Sequence, residues 1–325
     1  MKMSLKENLL ELLQKSSGEF LSGERAAETL GVSRTAVWKA VTSLKNEGYN
    51  IESVTNRGYR LSTDTDVLSA YGINNFLGKQ AKNYDISVLG TVTSTNALIK
   101  AEAAKNAPEG RIIIAAEQTA GRGRFGRSFF SPTGSGLYIS ILLRPTLPVT
   151  AAVSVTAAAA AAVAEAVETV SGKKAGIKWV NDVLTDNKKV CGILTEAALD
   201  VESGALSYAV LGIGVNVYPP QGGFPEDIKN KAGALCDTKQ PGLKNRLAAE
   251  IITRFFGYYS SLTAKTYLDS YRARCIVPGK KITVLSGSEE IPALALGIDD
   301  DCRLLVKYED GKEEYLSSGE ISIRL

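Results

Sequence analysis

A glycine-arginine segment from Gly121 to Arg127 restricts the fold of this chain more than any other feature of its sequence. It follows an apolar, strand-like run and holds three glycines and three arginines in seven residues. Its glycines match the G-x-G-x-x-G spacing of dinucleotide-binding loops, which join a strand to a helix. Here loop-like residues follow, and then a second strand-like run from Leu137 to Leu143. This context excludes a Rossmann fold, and the sequence contains no P-loop.

Glycine lets backbone N–H groups approach a ligand closely, and arginine supplies permanent charge and forked donors for a carboxylate or phosphate. The segment therefore predicts a loop between two strands that wraps an anion. The alternative interpretation is a solvated basic hairpin loop without a ligand.

Composition narrows the possible chemistry. A chain of 325 residues is long enough for two or three domains, and a net charge of +3 means that any nucleic-acid site must be local. Histidine is absent, which removes every mechanism that needs a histidine base or metal ligand. The four cysteines lack C-x-x-C spacing, so we expect reduced thiols and no zinc site; they are Cys191, Cys236, Cys275 and Cys302.

The pattern of residues 1–63 predicts a winged helix-turn-helix. Apolar residues recur at helical spacing in three segments, and two short strands joined by Thr55 to Gly58 follow. Five basic and two acidic residues, Glu47 and Glu52, lie between Ser33 and Arg60, which suits phosphate contacts beside a helix in the major groove. The alternative is a helical module for protein contacts. The predicted DNA-binding residues are Ser33, Arg34, Thr35, Lys39 and Arg57.

The rest of the chain predicts an α/β, more strictly α+β, multidomain protein. Residues 64–83 are expected to be a linker, residues 84–273 a mixed-sheet domain with long helices, and residues 274–325 a small SH3-like β-barrel. The alanine-rich run from Ala151 to Val170 is the single membrane candidate. Because Glu165 and Glu168 interrupt it, we expect a packed helix, no membrane contact and, without a signal peptide, a cytoplasmic protein.

Four further motifs accompany the glycine-arginine segment. Thr93 to Asn96 lies at a strand-to-helix turn, where a hydroxyl could simply cap the helix. The others are Lys178 to Asp182, Lys189 to Leu194 and Gly212 to Asn216. Taken alone, each motif is as compatible with a structural role as with a functional one.

Taken in this order, the motifs G-R-G-R-x-G-R, K-W-x-N-D, K-x-x-G-I-L and G-x-G-x-N closely resemble those of the biotin protein ligases, of the bifunctional kind that also repress the biotin operon. The resemblance covers nearly the whole chain: winged helix, α/β domain and barrel. Val180 stands where that family usually has proline. The resemblance implies that biotin and ATP, accompanied by Mg²⁺, give biotinyl-5′-AMP, and that the biotinyl group passes to a lysine of a carrier protein. It also implies that biotinyl-AMP is the corepressor and promotes a homodimer that binds a palindromic operator.

The resemblance also assigns roles to residues. Arg122, Arg124, Lys189 and Asp182 are the predicted catalytic residues. Biotin binding is assigned to Ser94, Thr95, Asn96, Gln118, Gly121, Arg122, Gly123, Arg124, Lys189, Gly192, Gly212 and Gly214. ATP or adenylate binding is assigned to Arg124, Arg127, Lys178, Trp179, Asn181 and Asn216, with Asn181 orienting phosphates or Mg²⁺. No protein metal site is predicted.

Two other functions stay open. One is a transcriptional sensor that binds a ligand without catalysis, against which Lys189 and the complete glycine-arginine segment count. The other is a lipoate or octanoate ligase. A ureido head group needs hydrogen bonds that a lipoyl ring does not, so the cluster of Ser94, Thr95, Asn96 and Gln118 favours biotin.

Overall fold

The computed structural model describes residues 4–16, 18–46, 48–62, 66–145, 151–199, 206–286, 289–317 and 320–323. Glu47 and the predicted domain boundary at Thr63 lie outside these ranges. The chain divides into two compact units: Met1–Gly72 with Lys239–Asn245, and Ile73–Thr238 with Arg246–Leu325.

The first unit contains the predicted winged helix-turn-helix. Its helices are α1 (Leu5–Lys15), α2 (Gly23–Leu30) and α3 (Arg34–Asn46), followed by the antiparallel hairpin of β1 (Ile51–Val54) and β2 (Gly58–Leu61). Gly31 ends α2 in the left-handed conformation, with φ of 65°, which glycine adopts without steric cost. The Ser33 hydroxyl then accepts a hydrogen bond from the Ala36 N–H at 3.2 Å, which caps α3. Apolar residues from all five elements form one core.

The segment predicted as a linker is largely helical. It contains α4 (Ala70–Leu77) and a 3₁₀ helix over Gly78–Asn83. The sequence did not indicate these two helices, and the assignment of residues 64–83 as a linker stays a prediction. Ile73 and Leu77 are buried, so the segment carries an apolar face that its turn-forming residues concealed.

A seven-stranded mixed sheet forms the centre of the second unit, in the order β3-β4-β5-β9-β8-β7-β6. Only the β3–β4 pair is parallel; each of the other neighbouring pairs is antiparallel. The strands are β3 (Asp85–Val92), β4 (Arg111–Gln118), β5 (Gly136–Leu143), β6 (Gly176–Lys178), β7 (Asp182–Thr185), β8 (Lys188–Leu199) and β9 (Leu206–Asn216). The helices with this sheet are α5 (Thr95–Ala103), α6 (Ala151–Ser171), α7 (Leu243–Tyr259) and α8 (Leu268–Arg274).

The alanine-rich helix α6 packs against β8 and α8. Every residue from Ala157 to Ala164 is fully buried, since the small alanine side chain lets neighbouring elements come close to the helix. Within the described residues, Ala152–Ser171 is the one helix long and apolar enough to cross a membrane, and 67% of its apolar window is buried inside the fold. That burial is typical of a core helix.

Five antiparallel strands form the C-terminal part of the second unit, in the order β13-β12-β11-β10-β14. They are β10 (Lys281–Ser286), β11 (Glu289–Ile298), β12 (Leu304–Tyr308), β13 (Glu313–Leu316) and β14 (Glu320–Ile323). A register shift between Ala295 and Gly297 bends β11. The short strands and tight turns agree with the small C-terminal β-domain predicted from the sequence.

Candidate active site and DNA-binding surface

A cleft that is open to solvent lies where β4, β8 and β9 meet the start of α5. Twelve of the predicted site residues line it: Ser94, Thr95, Asn96, Gln118, Arg122, Gly123, Arg124, Asn181, Lys189, Gly192, Gly212 and Gly214. Residues up to 120 positions apart in the sequence thus meet at one place.

The glycine-arginine segment folds back on itself as a small hairpin beside this cleft. The Gly123 N–H donates to the Arg127 carbonyl at 2.7 Å, and the Phe129 N–H donates to the Gly121 carbonyl at 2.9 Å. Gly121 is required by space, because a Cβ there would lie 2.4 Å from the Phe129 carbonyl oxygen. The loop therefore holds a defined shape through its own backbone, and Arg122 and Arg124 reach the cleft from it.

Asn181 holds Arg124 in place. Its Oδ1 accepts a hydrogen bond from Arg124 Nη1 at 2.8 Å, and its Nδ2 donates to the Ile193 carbonyl at 3.0 Å. The side-chain amide is thus fixed on β8 at one end and on the arginine at the other. In this structure Asn181 orients a cation of the loop, and the prediction that it orients phosphates or Mg²⁺ stays a prediction.

Lys189 and Asp182 form an ion pair across β7 and β8, with Lys189 Nζ 2.7 Å from Asp182 Oδ1. Asp182 does not line the cleft, but this contact joins it to a residue that does. Cys191 lies fully buried on the same strand as Lys189, and burial raises the pKa of its thiol well above the ordinary value. Cys191 is therefore unsuited to be a nucleophile.

A hydrogen-bonded cluster forms one end of the cleft. Gln118 Oε1 accepts from both the backbone N–H and the hydroxyl of Thr95, at 2.9 and 3.1 Å. The buried Ser140 hydroxyl lies 2.7 Å from the Thr95 hydroxyl and 2.5 Å from Asn96 Oδ1. Sequence reasoning missed Ser140, although a lone polar residue in the apolar run of β5 was a usable signal. The Asn96 side chain thus has protein partners at both its oxygen and its nitrogen, and its predicted contact with biotin stays a prediction.

Glu196 completes this cluster and was also missed. Its carboxylate accepts from Asn96 Nδ2 at 2.7 Å and from Lys100 Nζ at 2.5 Å. Burial pushes the pKa of Glu196 up, but the hydrogen bonds from Lys100 and Asn96 and the charges of Lys100 and Arg122 outweigh burial, so the pKa lies below its ordinary value. Glu196 therefore stays ionised and keeps one orientation of the Asn96 amide.

Two glycines on neighbouring strands make a flat area of the cleft floor. Gly192 and Gly214 are direct partners in the β8–β9 register. The ring of Phe129 rests on them: a Cβ at Gly214 would lie 2.5 Å from Phe129 Cε1, and one at Gly192 would lie 3.1 Å from Cε2. Phe129 lines the cleft, and sequence reasoning missed it because it follows the motif and looks like an ordinary core residue.

The remaining predicted residues surround the cleft without lining it. Trp179 is buried, and its indole N–H donates to the Cys302 carbonyl of the C-terminal β-domain at 2.8 Å. Asn216 Nδ2 donates to the Gly233 carbonyl at 3.1 Å. Lys178 is the register partner of Asp182, and Arg127 closes the glycine-arginine hairpin. The predicted ATP contacts of these four residues stay predictions.

The predicted DNA-binding residues lie on α3 and the hairpin of the first unit. Arg34, Thr35 and Lys39 are exposed on α3. The guanidinium of Arg57 lies over the ring of Phe20, 4.3 Å from its centroid, and that of Arg60 lies over the same ring at 4.7 Å. Phe20 therefore holds two cations of the hairpin in place.

This fold and cleft define a protein of the biotin and lipoate ligase class. Residues 88–216 match the family described as "Biotin/lipoate A/B protein ligase family", residues 6–60 match "HTH domain", and residues 278–324 match "Biotin protein ligase C terminal domain". Biotin protein ligase from Aquifex aeolicus, solved in complex with biotin and ATP, superimposes with a TM-score of 0.60 at 27% identity, over 74% of this chain and 98% of that one.

Relatives that match nearly the whole chain identify its family more narrowly. The bifunctional ligase/repressor BirA of Bacillus spizizenii is 33% identical over 325 residues, with 98% of each chain covered. BirA of Escherichia coli is 30% identical over 313 residues, with 95% and 94% covered. The chain belongs to the family of bifunctional biotin ligases and repressors.

Proposed function

We propose that this protein activates biotin with ATP to biotinyl-5′-AMP, transfers the biotinyl group to a carrier-protein lysine, and represses transcription as a biotinyl-AMP complex. One observation carries the enzymatic half: Arg122, Arg124 and Lys189 converge on a cleft whose other end is a cluster of hydrogen-bonding side chains. A ligand with an anionic end and a polar head fits that distribution of charge.

In the first step the biotin carboxylate attacks the α-phosphorus of ATP. The new C–O–P bond forms as the bond to pyrophosphate breaks. Because the carboxylate is already ionised at neutral pH, this step needs charge neutralisation and positioning rather than a base. Arg124, held by Asn181, and Lys189 supply positive charge, while Thr95 and Gln118 position the ureido head.

Lys189 must exchange partners during this step. It is paired with Asp182 at 2.7 Å, and an incoming carboxylate or phosphate competes for its ammonium group. Asp182 is then released, and it becomes available to position or deprotonate the acceptor lysine, whose ordinary pKa is about 10.4. The amine attacks the mixed anhydride, and AMP leaves. This role for Asp182 is distinct from its role as the resting partner of Lys189.

Mg²⁺ is proposed to arrive with ATP. No group of three or more acidic, cysteine or histidine side chains that could hold a metal occurs in the described part of the chain. Mg²⁺ commonly binds through substrate phosphates, water and one or two carboxylates. The phosphates of ATP and water would supply most ligands of the ion, which would neutralise phosphate charge in the cleft.

The repressor half rests on the winged helix-turn-helix and its basic face. We propose that biotinyl-AMP promotes a homodimer, that two copies of α3 then contact two half-sites of an operator, and that the protein works in the cytoplasm. The domain boundaries at residues 63, 83 and 273 are part of this proposal. Sedimentation with and without biotin and ATP tests the dimer, and an unchanged monomer at micromolar concentration contradicts it.

The enzymatic half is tested by incubating the protein with biotin, ATP, Mg²⁺ and a carrier domain, and by following pyrophosphate release and carrier mass. Lys189→Ala is expected to slow pyrophosphate release by about a hundredfold or more. Lys188→Ala, which alters the exposed neighbour, is the matched control and should stay near the wild-type rate. Binding of biotin without pyrophosphate release would replace the proposal with a ligand sensor. Release with lipoate or octanoate but not biotin would replace it with the other ligase class.

A separate experiment isolates the second step. Preformed biotinyl-AMP is added to Asp182→Ala together with the carrier domain, so that adenylation no longer matters. Slower transfer supports the proposed role of Asp182 in positioning or deprotonating the acceptor lysine. Transfer at the wild-type rate contradicts that role.

A further inference from the structure

Trp38 is the most exposed large aromatic side chain of the winged helix-turn-helix. It lies on α3 with 57% of its surface accessible and does not join the apolar core of that unit. Val37, Ala40, Val41 and Leu44 already fill the buried face of α3. Core packing therefore does not account for a tryptophan at this position.

The charges around Trp38 favour one kind of partner. Helix α3 contains Arg34, Lys39 and Lys45 but no acidic residue. Residues four apart share a helix face, so Arg34, Trp38 and Thr42 form one exposed row. The exposed surface of α3 combines positive charge with an apolar indole ring. It therefore suits a negatively charged polymer that also presents apolar groups.

Duplex DNA has that chemistry. Its phosphates carry the negative charge, and the C5-methyl groups of thymine are the apolar features of the major groove. A protein partner would have to match three cations with acidic residues around an apolar pocket. A second copy of this chain would bring like charges together on this face. The second helix of a helix-turn-helix lies in the major groove when it binds DNA. We therefore favour DNA as the partner of the exposed row on α3.

We propose that Trp38 is a specificity-determining residue of the DNA-binding unit and that its indole packs against thymine methyl groups within each half-site. This inference rests on the proposed repressor function. Arg34 and Lys39 attract DNA phosphates whatever the base sequence, whereas Trp38 makes binding depend on the base sequence.

The experiment begins with duplexes selected from a random pool by the full-length protein with biotin and ATP. Each selected duplex is then remade with deoxyuridine in place of thymidine, which removes only the methyl groups. The wild-type protein is expected to lose roughly fourfold in affinity for each contacted methyl group. Trp38→Ala should bind the thymine duplex more weakly and should be nearly indifferent to the replacement.

Two further variants sharpen the result. Trp38→Phe keeps an apolar ring and should retain part of the thymine preference. Lys39→Ala should weaken binding to both duplexes equally and reduce the salt dependence of affinity, which Trp38→Ala leaves unchanged. Biotinyl-AMP synthesis at the wild-type rate, together with an unchanged helical CD spectrum and melting temperature, shows that Trp38→Ala is folded.

The outcomes distinguish failure of this inference from failure of the proposed repressor function on which it rests. If the wild-type protein with biotin and ATP selects no duplex, the proposed repressor function fails. If the wild-type protein selects duplexes but Trp38→Ala shows the same ratio of thymine to uracil affinity, the role of Trp38 is overturned and the repressor function stands.

Discussion

The side chains of Asn181 and Arg124 are joined by a hydrogen bond of 2.8 Å that links two motifs 57 residues apart. The glycine-arginine hairpin is otherwise shaped by its own backbone, so this bond fixes one of its cations relative to the sheet. Arg124 is thereby held ready before a substrate arrives.

Asn181→Ala should slow biotin-dependent pyrophosphate release by about tenfold to a hundredfold, because a hydrogen bond to a charged group contributes about 1.5–3 kcal/mol. Pyrophosphate release under saturating biotin and ATP measures this. Asn230→Ala, on an exposed turn, is the control. An Asn181→Ala enzyme as fast as wild type would mean that Arg124 needs no such support.

Trp179→Phe should lower the free energy of unfolding by about 1–3 kcal/mol, because it leaves the buried Cys302 carbonyl without its donor. Trp38→Phe is the matched substitution at an exposed site and should change stability by less than about 0.5 kcal/mol. Denaturant unfolding of both variants gives the comparison. Equal stability of the two variants would show that the indole hydrogen bond contributes nothing.

Gly214→Ala should raise the KM for biotin several-fold and destabilise the fold by about 1–3 kcal/mol, because the new methyl group would lie 2.5 Å from Phe129 Cε1. Gly90→Ala in β3, where no atom lies within 4 Å, is the control. Phe129→Ala in the same chain should recover part of the stability lost in Gly214→Ala. Strict additivity of the two substitutions would argue against a steric cause.

The stability advantage of the wild-type protein over Glu196→Gln should depend on pH. The pKa of Glu196 is lowered from 4.5 in the folded protein, so its contribution is fully present above pH 4.5 and is lost as the pH falls through the lower folded value. Unfolding measured from pH 7 downward should show the advantage shrinking below pH 4.5. A stability difference between the wild-type protein and Glu196→Gln that does not change with pH would contradict the prediction.

The sequence was sufficient to predict the three-part architecture, because each part has its own periodicity: helical in the first 62 residues, mixed in the centre, and short strands after Cys275. The motifs that line the cleft were also recognisable in the sequence; most of them follow or end a strand, whereas Lys189 to Leu194 lies within β8. The helical segment over residues 70–83 was missed because its glycines and asparagines resemble a linker, whereas tertiary packing of Ile73 and Leu77 decides its conformation.

The supporting residues of the cleft were harder to predict. Ser140 and Glu196 act through Thr95 and Asn96, and such contacts depend on strand register rather than on local sequence. Glu196 does follow Gly192 and Leu194 at alternate positions of β8, so the period of two was a usable signal. The hydrogen bond between Asn181 and Arg124 joins residues 57 positions apart, so local sequence could not indicate it, and the predicted phosphate contact of Asn181 stays a prediction.

The two tryptophans of the chain report on different events. Trp179 is enclosed where the sheet meets the C-terminal β-domain, and Trp38 is exposed to solvent on α3. The unmodified protein therefore contains two fluorophores that differ in polarity of surroundings and in access to quenchers such as iodide. With Trp38→Phe and Trp179→Phe as single-tryptophan variants, emission can follow loss of tertiary packing through Trp179 and test the proposed contact of Trp38 with a duplex, without any added label.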